Sequence, residues 1–174
     1  MEQNERTNSS STIDLSATTR TSLFPGVPGP QTRTRFTAPS MNFSDLQIGM
    51  SASLENTVTD RVIELFGEVT GDRNPIHFDD AFAATTPYGG RVAHGAMLVG
   101  FVSAVLASEL PGPGSVAREM SIRFRKPVRP GDVVTSKVVV RELVPKTRKV
   151  VLDCFSYVGD ELVARGEASA LLPV

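Results

Sequence analysis

A carboxylate and an imidazole stand five residues apart in the run Gly71-Asp72-Arg73-Asn74-Pro75-Ile76-His77. Proline cannot continue a helix and restricts the residue before it, so Asn74-Pro75 predicts a turn that lets the side chains of Asp72 and His77 converge. A carboxylate and an imidazole sharing one water can orient it, remove a proton and return one elsewhere, which is what hydration of a conjugated double bond requires. The same residues also suit a purely structural end, with Asp72 and Asn74 capping the turn and His77 packed on it, because Asp and Asn are ordinary turn formers.

Ala93-His94-Gly95 is the second candidate, since it opens the strongest helical segment of the chain. Unpaired N–H groups and the helix dipole favour negative charge at such an end, and Gly95 has no side chain to block a ligand. A thioester carbonyl bonded to that N–H would be polarised as in an oxyanion hole. Gly95 equally permits close packing of helix on sheet. His94 is read as a local hydrogen-bonding group that holds this turn. Ser103 lies two turns along the same segment, where a serine commonly bonds back to its own helix.

Several elements must position these groups. Ser51 to Val58 reads as a short strand, followed by a helix N-capped by Asp60, with Val62, Ile63, Phe66 and Val69 at helical spacing and Gly71 at its end. Asp79 and Asp80 cap a brief helix through Ala84, and Thr86 to Gly90 is a loop. Gly95 to Leu110 is apolar on nearly every face, which predicts a buried helix. Beyond Pro111-Gly112-Pro113-Gly114 the chain turns extended over 116–128, 133–143, 149–158 and 161–172. Met120, Ile122 and Phe124 alternate with Ser121, Arg123 and Arg125, the pattern of a strand with one buried face. Together these predict an α+β layer, an antiparallel sheet wrapped around one central helix, the hot-dog arrangement. Its exposed edge strands predict a homodimer.

The pattern Gly71-Asp72-x-Asn74-Pro75-Ile76-His77 followed by Gly90-x-Val92-Ala93-His94-Gly95 resembles the MaoC-like family, specifically its (R)-specific enoyl-CoA hydratases. The resemblance runs from about Met41 to Val174 and includes Phe82-Ala83-Ala84-Thr85-Thr86, Arg123-Phe124-Arg125-Lys126-Pro127-Val128 and Gly131-Asp132-Val133. It implies that Asp72 and His77 are the catalytic pair, that Gly95 supplies the oxyanion N–H, and that Ser103 helps to orient the substrate or its water. It further implies a 2-enoyl-CoA hydratase or 3-hydroxyacyl thioester dehydratase that uses no metal or redox cofactor, its substrate carried by coenzyme A or acyl carrier protein. A 3-hydroxyacyl-acyl-carrier-protein dehydratase, a hot-dog thioesterase and a noncatalytic acyl-thioester-binding subunit are the alternatives. Phe82 and Tyr88 suit the border of an acyl pocket or ordinary packing, and Arg123, Arg125, Lys126 and Arg129 suit coenzyme A phosphates or a solvated strand face.

Composition narrows the partners. With 18 Lys and Arg against 19 Asp and Glu, the chain has no electrostatic footprint for nucleic acid or an anionic membrane. Its apolar run from Ala96 to Ala107 is far shorter than the ~20 residues of a membrane-spanning helix, so a soluble protein with a small-molecule partner is expected. Cys154 is the lone cysteine, which removes intrachain disulfides and multi-cysteine metal clusters and fits a reducing compartment, the cytoplasm. No Cys or His cluster is legible as a metal site, and no Gly-rich phosphate loop is present. Residues 1 to 40 lack apolar periodicity, are broken by Pro25, Pro28, Pro30 and Pro39, and are predicted to be a disordered leader, with the folded domain at 41–174. Their Ser, Thr and Arg content suits a mitochondrial transit peptide, against which Glu2, Glu5 and Asp14 count.

Overall fold

The computed structural model describes residues 41–173; the predicted leader, 1–40, lies outside the described residues. The first strand, β1 (Ser51–Thr57), alternates exposed with half-buried positions, and Ala52 and Leu54 face the core. Helix α1 (Asp60–Thr70) follows, then a single 3-10 turn (Pro75–His77), the short helix α2 (Asp80–Ala84), and the long helix α3 (Gly95–Ser108). Four strands complete the domain: β2 (Val116–Phe124), β3 (Val133–Val144), β4 (Lys149–Val158) and β5 (Glu161–Leu171). All pair antiparallel in the order β1-β3-β4-β5-β2, giving one five-stranded sheet with β1 and β2 at its edges.

The sheet wraps around α3, the hot-dog arrangement. Val102, Val105 and Leu106 of α3 are buried among Val138 and Val140 of β3, Val150, Leu152 and Cys154 of β4, and Ala168 and Ala170 of β5. The alternation of valines along β3 and β4 directs one row inward, as period-two patterning requires. A second apolar cluster joins Ile63 of α1 and Met97 and Leu98 of α3 to Val58, Val128, Val134 and Val163, with Phe66 and Phe78 packed against it.

Four local expectations are corrected. The N-cap of α1 is Thr59, whose hydroxyl accepts the Val62 N–H at 3.2 Å, and Asp60 is the first helical residue. Adjacent Thr and Asp are both good caps, and the extended backbone at Thr59 decides between them. Val69 falls on the solvent side of α1 at 79 % exposure, because the helix presents only Ile63, Gly67 and their neighbours to the core. Helix α3 is not buried all round: Ala96, Gly100 and Ala107 are exposed, since a single curved sheet covers one side of a helix. On edge strand β2, Met120 and Ile122 are half-buried as the alternation predicts, whereas Phe124 at its end is exposed.

Candidate active site

The turn carrying the Asp72 and His77 pair is set by capping and by one glycine. Gly71 ends α1 in the left-handed conformation (φ 77°), with its N–H bonded to the Gly67 carbonyl at 3.0 Å. The chain then bends through nested side-chain turns: the Asp72 Oδ1 accepts the Asn74 N–H at 3.2 Å, and the Asn74 Oδ1 accepts the Ile76 N–H at 3.2 Å. Pro75 starts the 3-10 turn that delivers His77 into a buried position. Asp72 and Asn74 therefore do cap the turn, and the second carboxylate oxygen of Asp72 has no hydrogen-bond partner among the described residues.

His77 is oriented by the segment that precedes α3. Its Nδ1 lies 2.8 Å from the Val92 carbonyl oxygen. A carbonyl only accepts, so in the neutral ring Nδ1 bears the proton and Nε2 keeps an open lone pair, the form of a general base. Val92 is held in turn by its N–H to the Ile76 carbonyl at 3.3 Å, and Ala93 by its N–H to the Val128 carbonyl at 2.7 Å. The Asp72 carboxylate and a ring nitrogen of each of His77 and His94 lie within 4.8 Å of one another.

That third member, His94, is 1 % exposed. Its Nε2 lies 3.2 Å from the Asp72 backbone carbonyl, and its ring stacks on His77 with centroids 3.8 Å apart and planes at 29°. Burial, opposed by the Asp72 carbonyl and reinforced by the nearby His77, pulls its pKa below the ordinary histidine value. Sequence spacing did not reveal this convergence of two histidines and a carboxylate. Each ring gives one nitrogen to a backbone carbonyl, His77 to Val92 and His94 to Asp72.

A cavity of about 330 Å³ opens beside the pair. Its wall includes Asn74, Ile76 and His77 from the turn, Tyr88 and Val92 from the loop, Gly95 and Leu98 from α3, Phe124 at the end of β2, and Arg125 to Val128 after it. Gly95 is the first residue of α3 and lines the cavity, so its N–H has no acceptor within the helix and lies at the positive end of the helix dipole. The edge of the Phe124 ring sits 3.1 to 3.3 Å from where a Cβ on Gly95 would be. Of the two aromatic residues expected at an acyl pocket, Tyr88 lines the cavity and Phe82 does not. Asp72 is exposed and stands just outside the wall. Ser103 is half-buried further along α3 and is not part of the wall.

Basic residues brace the loop rather than crowd the pair. Arg91 bridges Asp60 at 2.9 Å and Asp80 at 2.8 Å, tying α1 to α2. Arg129 donates to the Tyr88 carbonyl at 2.6 Å, and Lys126 pairs with Glu161 at 3.1 Å. Arg125 lines the cavity. Two residues that sequence reasoning passed over, Gly67 and Phe78, complete the support. A Cβ on Gly67 would approach the Phe78 ring tip to 2.6 Å and the Asp72 carbonyl to 3.1 Å, so this glycine lets the turn pack directly on α1.

An antiparallel sheet around a central helix, with Asp72, His77 and His94 gathered close to the start of that helix, is the hot-dog arrangement, and the comparisons give its class as hydro-lyase. Residues 44–153 match the model of the MaoC like domain, and the chain belongs to that family. It is 47 % identical over 131 residues to the 3-hydroxybutyryl-CoA dehydratase of Methylorubrum extorquens, covering 75 % of this chain and 83 % of that one. It is 41 % identical over 131 residues to the (R)-specific enoyl-CoA hydratase of Rhodospirillum rubrum, covering 75 % and 91 %. Among solved structures, the (R)-hydratase of Aeromonas caviae involved in PHA biosynthesis superposes with a TM-score of 0.72 at 35 % identity, covering 74 % of this chain and 98 % of that one.

Proposed function

We propose that this chain interconverts a trans-2-enoyl thioester and an (R)-3-hydroxyacyl thioester by adding or removing water, and that Asp72 and His77 do the proton transfers. The observation that carries the reading is the approach of the Asp72 carboxylate to the rings of His77 and His94 within 4.8 Å, beside a cavity lined by Gly95, the first residue of α3. A water held by the pair loses a proton as its oxygen bonds to the β-carbon, and the pair returns a proton to the α-carbon. The thioester oxygen, which gains charge as the enolate forms, takes the Gly95 N–H. Ser103 is retained as a substrate-orienting residue on the resemblance alone. Addition of water is redox-neutral, so the reaction calls on no electron-carrying cofactor.

Coenzyme A is the preferred carrier, on the names of the relatives at 41 and 47 % identity. The working unit is a homodimer, supported by the unpaired edge of β2, by the exposure of Val116 (57 %) and Phe124 (53 %) along it, and by the uncovered side of α3. A single buried thiol suits the cytoplasm. Among the described residues, no helix is long and apolar enough to cross a membrane.

The test is to mix the purified full chain with crotonyl-CoA, follow the loss of enoyl absorbance, and determine the configuration of the 3-hydroxybutyryl product. An (R) product without free thiol is expected. Thiol release would mark a thioesterase, an (S) product would overturn the stereochemical assignment, and no turnover would leave a binding subunit.

A further inference from the structure

His94 touches both members of the proposed pair by different means. To Asp72 it gives a hydrogen bond: the partner is a backbone carbonyl, so Nε2 carries the proton and donates at 3.2 Å. To His77 it gives a ring face, at 3.8 Å between centroids. Its other ring contacts are aromatic, with Phe66 at 4.9 Å and Phe78 at 5.5 Å between centroids, so the ring is packed by three neighbours. With Nε2 protonated, Nδ1 holds a lone pair, and that buried atom has no hydrogen-bond partner among the described residues. Leaving a buried acceptor unsatisfied is unfavourable, and a phenyl ring would fill the same space without it. A histidine here calls for a reason beyond packing.

We propose that His94 is a positioning residue for the acid/base pair, fixing the main chain at Asp72 through Nε2–H and the orientation of His77 through its neutral ring face. The groups that face it are His77 and Asp72 from the turn, with Phe66 and Phe78 uncharged. Neutrality matters because His77 becomes cationic while it holds the water's proton. A second positive ring stacked on it would oppose that step, whereas a neutral ring face does not. The chemical consequence assumes the hydratase reading given above; the positional claim does not.

Two variants separate the two contacts. His94→Phe keeps a ring face and removes the donor, and His94→Gln keeps a donor near the Nε2 position and removes the face. Each should lower kcat for crotonyl-CoA by roughly 10- to 100-fold, the scale of a small misplacement of catalytic groups, with KM changed less than threefold and melting temperature held. In a His77→Gln background, His94→Gln should add little further loss, because the ring face it removes acts through His77. Wild-type kcat in either variant, or a full multiplicative loss in the double variant, would overturn the proposal.

An activity-free readout keeps it separate from the hydratase reading. The chain has two histidines, so a His94 variant leaves His77 alone in the ring ¹⁵N spectrum. His94→Gln should convert a single His77 tautomer, protonated at Nδ1, into an exchanging mixture. An unchanged His77 spectrum in that variant would sink the positioning role even if the enzyme were active. A changed spectrum in a protein that does not turn over crotonyl-CoA would uphold it while the hydratase reading fell.

Discussion

The Nδ1 of His77 and the carbonyl oxygen of Val92 lie 2.8 Å apart, across 15 residues of chain, and this contact leaves Nε2 as the nitrogen available for the proposed proton transfer. The same segment, from Val92 to Gly95, leads into α3, so the proposed base and the proposed oxyanion donor are set by one stretch of backbone. Asp72→Asn and His77→Gln should each reduce hydratase turnover by about 100-fold or more with the fold intact, as expected when general acid/base help is lost. Their losses should not multiply, because both groups act on one water. Steady-state kinetics on the two single variants and the double variant decide this; near wild-type turnover in either removes that residue from the chemistry.

Gly95→Ala should cut turnover by roughly 100-fold, the effect of losing an oxyanion contact. The structure names the route: a Cβ there meets the Phe124 ring at 3.1 Å, and the ring must move within the cavity. Gly100→Ala is the control, since a Cβ at that position meets nothing within 4 Å. If both variants lose activity equally, the effect belongs to α3 in general and not to Gly95.

Gly67→Ala reports on the support beneath the pair. Alanine favours a helix over glycine by about 1 kcal/mol, but the added methyl group presses on the Phe78 ring and on the Asp72 carbonyl, and overpacking costs about 1–3 kcal/mol. Turnover should fall at least several-fold while urea-unfolding stability falls by about 2 kcal/mol or less. An active variant that is also more stable would show that the turn gives way freely.

The neutral, buried His94 makes the domain acid-sensitive. Its folded pKa lies below the unfolded value of about 6.5, so the unfolded chain binds the extra proton first. The associated stability is fully present above about pH 6.5 and is lost as pH falls from there through the folded pKa. Urea midpoints should drop between pH 7.5 and pH 5.5 in the wild type and drop less in His94→Phe. Equal slopes would mean that other groups govern the acid limb.

Cys154 should resist thiol reagents. It is buried in β4, and burial first, then the negative charges of Asp153 and Glu167, push its pKa up to about 12. The thiol is therefore protonated at pH 8, and labelling in native buffer should be slow and tied to unfolding. Because the folded pKa is raised above the unfolded value of about 8.5, stability should decline as pH rises between those two values. Rapid native labelling would show that the β4 core opens locally.

Some of this molecule is legible in its residues taken in order. The five strands and three helices follow from apolar period, caps and turn residues, because these are local properties, and the strand at Lys149–Val158 falls where the alternation places it. The motif from Gly71 to His77 marks the pair because Pro75 and Asn74 demand a turn in any context. Tertiary structure alone decided the rest. Whether Thr59 or Asp60 caps α1 depends on backbone angles that either residue tolerates. That α3 keeps an uncovered face, and that Phe124 comes to lie over Gly95 instead of inside the sheet, depends on where β2 ends at the sheet edge. The stacking of His94 on His77 joins residues 17 positions apart, and no period in the chain encodes it. It arises because α1, through Gly67, and the start of α3 press the same turn from two sides, and only the packed fold brings those surfaces together.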